Sequence, residues 1–121
     1  MAKILVVEDD QFLRELIVQK LTNEKYEVLE ASDGQHAITM VQEEHPDLVL
    51  LDLILPGVDG FEVLRKIREG TTTKAIPVII LSNLGEKEDI EKGKKLGATD
   101  YLIKAHFTPG EVVSRIKGIL D

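Results

Sequence analysis

Short apolar runs alternate along this chain with segments whose apolar residues recur every three or four positions. Ile4 to Val7, Leu48 to Leu51 and Val78 to Leu81 are unbroken runs of strand length, Tyr26 to Ala31 alternates, and Tyr101 to Ile103 closes the series. Between them Leu13, Leu16, Ile17 and Leu21 follow i, i+3, i+4, i+8; Ala37, Ile38 and Val41, then Phe61, Leu64 and Ile67, repeat the stripe of a helix with one buried face. The pattern predicts five strand-then-helix units. Unbroken runs suit central strands of a parallel sheet covered on both faces, and the alternating run suits an edge. With right-handed crossovers, the leading arrangement is an α/β, flavodoxin-like, doubly wound five-stranded parallel sheet in the order 2-1-3-4-5, flanked by five helices.

Helix punctuation agrees with this. Asp59 with Glu62, Asn83 with Glu86, and Thr108 with Glu111 have capping-box spacing, Pro109 sits at a first helical position, and Gly97 after Leu96 reads as a stop. Asp10, just before the first helical stripe, reads as an N-cap. The fourth helix, roughly Glu86 to Leu96, stands apart: Ile90 is its only apolar residue before Leu96, and Gly93 weakens its middle. It is either a solvated surface helix or a mobile element able to change its packing.

The polar residues at the ends of the runs belong to one kind of chemistry. The first run meets Glu8, Asp9 and Asp10, the third Asp52, the fourth Ser82 and the fifth Lys104. In open α/β sheets the ligand crevice lies beyond the carboxyl ends of the strands, so, with Asp10 reading as an N-cap, the acids Glu8, Asp9 and Asp52, a hydroxyl and an ammonium are expected at one edge. Clustered carboxylates repel unless a cation or proton sits between them, and Mg2+, which takes a few hard oxygens and favours phosphate sites, is the natural occupant. Asp52 is then a candidate phosphoryl acceptor, with Lys104 and Ser82 contacting the phosphoryl oxygens.

Composition narrows the class. At 121 residues, 43% hydrophobic and 31% charged, the chain fits one globular domain over residues 1–121. A net charge of -7 opposes direct nucleic-acid binding. There is no cysteine, which excludes disulfides and thiolate chemistry, and the first apolar run is too short for a signal or membrane span, so a cytoplasmic protein is expected. The histidines at 36, 45 and 106 show no ligand spacing.

With these residues in view, the chain resembles the response-regulator receiver domain of two-component signalling over essentially its whole length. The resemblance is carried by Ile4-Leu-Val-Val-Glu-Asp-Asp10, Ala31-Ser-Asp-Gly34, Pro46-Asp-Leu-Val-Leu-Leu-Asp52, Leu55-Pro-Gly-Val-Asp-Gly60, Ile76-Pro-Val-Ile-Ile-Leu-Ser82 and Gly97-Ala-Thr-Asp-Tyr-Leu-Ile-Lys104. Chemotaxis receivers are themselves examples of the 2-1-3-4-5 order, so that order adds no independent support. The resemblance implies a single receiver domain, a phosphoacceptor signalling module rather than an enzyme. It implies Asp52 as acceptor, Mg2+ held by Asp9, Asp52 and the Ile54 carbonyl, and Glu8 acting through a metal-bound water. Ser82 and Lys104 take the places of the switch hydroxyl and the phosphoryl-binding lysine. Tyr101 stands where receivers carry an aromatic that turns inward on activation, or is simply a partly exposed strand tyrosine. The implied partners are a histidine kinase or histidine phosphotransfer protein, and a downstream protein bound through the fourth helix, fifth strand and fifth helix; with no effector following, output is expected through binding.

The chain departs from the family pattern in two places. Receivers usually follow the lysine with proline, commonly through a cis bond, whereas here the segment reads Lys104-Ala105-His106-Phe107. Because a cis bond to a residue other than proline costs about 3 kcal/mol, a trans Lys104–Ala105 bond is expected, with the extra residue making the turn. Asn83 follows the switch hydroxyl where alanine or glycine is common; it either caps the fourth helix or narrows access to Asp52. The rate-modulating positions are Ile54 and Leu84, neither able to orient a water, so slow self-dephosphorylation is expected. Three rival readings remain at this level. A constitutive interaction module sits poorly with Glu8, Asp9, Asp52 and Lys104 all present, a haloacid-dehalogenase-type phosphotransferase or phosphatase wants an aspartate where Ile54 stands, and a flavodoxin-like cofactor carrier wants a hydroxyl-rich phosphate loop where acids follow the first run.

Overall fold

The computed structural model describes all residues 1–121. Its elements alternate as expected: β1 (Lys3–Val7), α1 (Gln11–Asn23), β2 (Glu27–Ala31), α2 (Gly34–Glu44), β3 (Leu48–Leu51), α3 (Gly60–Glu69), β4 (Val78–Ser82), α4 (Lys87–Lys95), β5 (Asp100–Ile103) and α5 (Pro109–Leu120), with one 3₁₀ turn over Lys104–His106. All strand pairs are parallel and the order is β2-β1-β3-β4-β5. The unbroken runs β1, β3 and β4 hold the centre and the alternating β2 lies at an edge.

Two apolar layers explain the register. Ile4, Val6, Leu48, Leu50, Ile79, Leu81 and Leu102 pack under α1 and α5. The alternate residues Leu5, Val7, Val49, Leu51, Val78 and Ile80 pack under α2 and α3. Each buried aliphatic side chain is worth roughly 1.5–3 kcal/mol relative to exposure, and slipping one strand by one residue would exchange its two faces between these layers. The register is thereby fixed from both sides.

Local signals set the helix ends with one exception. Asp10, Asp59 and Thr108 each accept a hydrogen bond from the backbone three residues on, and Thr108 with Glu111 forms a complete capping box. Gly97 follows α4 with φ of 103°. Asn83 does not cap α4: that helix begins at Lys87 with Glu86 as N-cap, and no side chain caps it. The expected pairing fails because Asn83-Leu84-Gly85 forms the connection after β4, folded back so that the Leu84 N–H bonds Ser82 Oγ at 3.2 Å. Every peptide bond is trans, Lys104–Ala105 included, and the added residue is absorbed in the 3₁₀ turn.

Gly93 has a reason to be in α4 beyond weak helix propensity. A Cβ there would lie 2.9 Å from Ile80 Cδ1 and 3.0 Å from Tyr101 Cδ2, so the missing side chain lets the helix sit down on the sheet. Few apolar side chains hold α4, but its backbone approaches closely.

Candidate functional site

The site is a consequence of register. Val7 and Leu51 are partners in the β1–β3 ladder, so the next residues, Glu8 and Asp52, leave the sheet side by side. The Glu8 N–H bonds the Ala31 carbonyl and the Asp52 N–H bonds the Val7 carbonyl, extending both ladders by one rung. Ser82 pairs with Ile103 at the end of β4–β5, which delivers Lys104 to the same edge.

There Lys104 Nζ lies 2.8 Å from Glu8 Oε1 and 3.0 Å from Asp52 Oδ2. Asp52 Oδ1 accepts the Leu53 N–H at 2.7 Å and the Ile54 N–H at 3.3 Å, while Glu8 Oε2 accepts the Asp10 N–H at 3.0 Å. Glu8 is 3% exposed and Asp52 5%. One ammonium thus serves two buried carboxylates. Burial disfavours the Glu8 anion most and, with Asp52 nearby, raises its pKa despite the bond from Lys104. Burial works against the Lys104 charge too, but its hydrogen bonds to Glu8 and Asp52 outweigh that and hold it protonated.

Glu8, Asp9, Asp10, Asp52, Ile54, Asn83 and Lys104 line an open cleft of about 290 Å³. Asp9 is exposed at this cleft, and Asp10 turns its carboxylate to the first turn of α1, capping the Leu13 N–H at 3.1 Å. Ile54 is 62% exposed, an apolar side chain beside Asp52. Leu84 does not line the cleft; it packs toward the layer under α2 and α3. Ser82 is fully buried behind the wall.

Leu84 instead joins two expected switch residues through its backbone. Its N–H donates to Ser82 Oγ at 3.2 Å, and its carbonyl accepts the Tyr101 hydroxyl at 2.5 Å. Tyr101 is half-buried, and burial, helped by the negative charges of Asp89 and Asp52, pushes its phenol up to about 12. Side-chain patterns gave no sign of this link, because it is made by main-chain atoms.

The donor set suits a hard divalent cation: with Asp10 turned to α1, the carboxylates of Glu8, Asp9 and Asp52 remain, oxygen donors with formal charge only partly answered by Lys104. No three acidic or imidazole side chains converge on one point, since Lys104 stands between Glu8 and Asp52 and Asp9 stays at the rim. Fit therefore rests on chemistry and charge: the carboxylates that line the cleft face a single ammonium, that of Lys104.

The sequence matches the response regulator receiver domain family over residues 4–117. It is 45% identical over 118 residues to the transcriptional regulatory protein ResD of Bacillus subtilis, covering 98% of this chain and 48% of ResD. The chain spans about half the length of the curated relatives it matches. Among solved structures, chemotaxis response regulator CheY4 of Vibrio cholerae superimposes with a TM-score of 0.91 at 30% identity, over 98% of both chains. The receiver domain of sensor histidine kinase PA1611 from Pseudomonas aeruginosa, solved with a magnesium ion coordinated in its active site cleft, gives a TM-score of 0.84 at 31% identity, over 95% of this chain and 93% of that one.

Proposed function

Because this chain belongs to the response-regulator receiver family, the phosphoacceptor modules of two-component signalling, we propose that Asp52 accepts a phosphoryl group from a histidine kinase or histidine phosphotransfer protein and thereby switches a protein-binding surface. One observation carries the reading: Asp52 lines an open cleft with Oδ1 tied back by two N–H groups and Oδ2 on the Lys104 ammonium. A carboxylate so held is already aimed, and aim is most of what phosphoryl transfer asks of a protein.

In the transfer, an Asp52 oxygen attacks phosphorus in line, the bond from phosphorus to the donor imidazole breaks, and its electron pair stays on that imidazole. Magnesium, when bound, supplies positive charge that screens the incoming group. Asp9, Asp52 and the Ile54 carbonyl would hold it, with Glu8 acting through a bound water. Lys104, already on Asp52, follows the charge onto the phosphoryl oxygens. Ser82 accepts from Leu84 and keeps its own hydroxyl proton to donate. Asn83, exposed at the cleft wall, narrows the approach of a donor, and Ile54 offers no polar group to orient an attacking water.

Phosphorylation adds up to two negative charges and three acceptor oxygens at this edge. Ser82 moving toward them pulls on the Leu84 N–H, and the carbonyl of the same residue holds the Tyr101 hydroxyl. Tyr101 in turn lies against Gly93 of α4. The surface of α4, β5 and α5 is therefore the output face, offered to a downstream protein; the charge of -7 argues against direct contact with nucleic acid. No helix is long and apolar enough to cross a membrane.

Intact mass after incubation with acetyl phosphate and magnesium tests the assignment. One phosphoryl group is expected on the unmodified chain and none on Asp52→Asn. Because Asn83 restricts small donors, a phosphohistidine donor is run in parallel; no transfer from either, or transfer to Asp52→Asn, refutes the assignment.

A further inference from the structure

We propose that Arg14 is a positioning residue for the acidic pair: from outside the cleft it fixes the peptide between Glu8 and Asp9 and so sets the cleft's affinity for a divalent cation. The proposal rests on the reading of the cleft given above. Arg14 is on α1 with its side chain only 17% exposed, yet it does not line the cleft of Glu8, Asp9 and Asp52. It borders a separate depression with Glu30, Ala31, Ser32 and His36.

Two donors of its guanidinium are used in different directions. Nη1 donates to the Glu8 backbone carbonyl at 2.8 Å, and Nε to Glu30 Oε1 at 3.2 Å. The Glu30 side chain is 46% exposed, so that ion pair contributes little by itself; its effect is to hold the planar fork in place. The bond to Glu8 is the one that matters. Glu8 is the first residue beyond β1, and its N–H is secured by the Ala31 carbonyl at 3.0 Å. Its carbonyl has no backbone partner and is held by Arg14 alone. That carbonyl belongs to the peptide unit joining Glu8 to Asp9, so holding it restrains ψ of Glu8 and φ of Asp9, the torsions through which the Asp9 carboxylate is carried relative to Glu8. Released, it would turn to water and loosen Asp9, while the Glu8 carboxylate stays on Lys104 and the Asp10 N–H.

Charge and position predict opposite signs. A cation close to an acidic cleft repels a second cation, so deleting Arg14 on electrostatic grounds alone tightens divalent binding. Deleting a constraint on the ligands loosens it. The test is calorimetric titration of the full chain with Mg2+, and of Arg14→Ala, Arg14→Lys and Asp9→Asn, with circular dichroism to confirm folding. Arg14→Ala is expected to weaken Mg2+ by about tenfold, the scale of losing a group that orients a ligand. Arg14→Lys keeps the charge but not the fork and is expected to fall between Arg14→Ala and the unmodified chain. Unchanged or tighter binding in Arg14→Ala, while Asp9→Asn weakens it, overturns the proposal and leaves the cleft assignment standing. Unaltered binding in Asp9→Asn refutes the cleft assignment and the proposal with it. If Arg14→Ala does not fold, Arg14→Lys decides: affinity equal to that of the unmodified chain overturns the proposal.

Discussion

At the scale of single residues, the cleft sets the burial of two carboxylates against one ammonium. Glu8 and Asp52 are both nearly inaccessible and share Lys104. Burial raises the Glu8 pKa above its ordinary value of 4.5, so the folded chain retains a proton there that the unfolded chain has already released. Stability is lost as pH rises from about 4.5 through that raised value, and at neutral pH the Glu8 charge is a net cost. Glu8→Gln is accordingly expected to raise the thermal midpoint near pH 7 in metal-free buffer, and the gain should vanish below the ordinary glutamate pKa, where both states are protonated. A scan of unfolding temperature against pH for the two proteins checks this; a midpoint lowered by the substitution at pH 7 would show that the Lys104 bond outweighs burial. The identities of Glu8, Asp9, Asp52 and Lys104 were legible in the sequence because each stands at the end of an apolar run. That Lys104 touches both Glu8 and Asp52, while Asp9 remains at the rim, was not legible, because it depends on side-chain rotamers across three strands.

At the scale of elements, α4 is held by backbone proximity more than by side-chain burial. Gly93→Ala would gain roughly 0.5–1 kcal/mol of intrinsic helix stability. Against this, the new methyl group meets Ile80 Cδ1 at 2.9 Å and the Tyr101 ring at 3.0 Å. Ile80 is fully buried, so its Cδ1 and the Tyr101 ring must shift within packed surroundings, and overpacking of this kind costs about 1–3 kcal/mol. Net destabilisation of about 1 kcal/mol is expected, read by urea unfolding; a more stable variant would mean α4 yields without resistance. The opposite change is available at the helix start. Glu86 occupies the N-cap position without bonding the exposed backbone, and Glu86→Ser should add about 1 kcal/mol in the same assay. An unaltered midpoint would show that the first turn of α4 frays regardless of its cap. Sequence spacing pointed to Asn83 for that cap and missed, since a capping box is a local rule, whereas the β4–α4 connection is tied to Ser82 at the end of β4 and to Tyr101 of the neighbouring strand β5.

At the scale of the whole molecule, a divalent ion held at the acidic edge would tie stability to its concentration. An ion that binds only the folded chain stabilises it by about 2.7 kcal/mol at a concentration a hundredfold above its Kd. Thermal unfolding in Mg2+ against sodium at matched ionic strength should show an upward shift, reversed by a chelator and diminished in Asp9→Asn. An equal response to both salts would reduce the effect to general screening of the -7 charge.

Apolar periodicity marked the central and edge strands, the two-layered core and the residues at the strand ends, and right-handed crossovers left 2-1-3-4-5 as the leading of a few orders, which the fold adopts. How those ends communicate is set only once the chain has folded. Arg14 of α1 on the Glu8 carbonyl, the Tyr101 hydroxyl of β5 on the Leu84 carbonyl, and Gly93 of α4 beneath the Tyr101 ring are contacts between different elements made largely through main-chain atoms. Main-chain atoms are the same at every position, so no pattern of side chains records where they will meet.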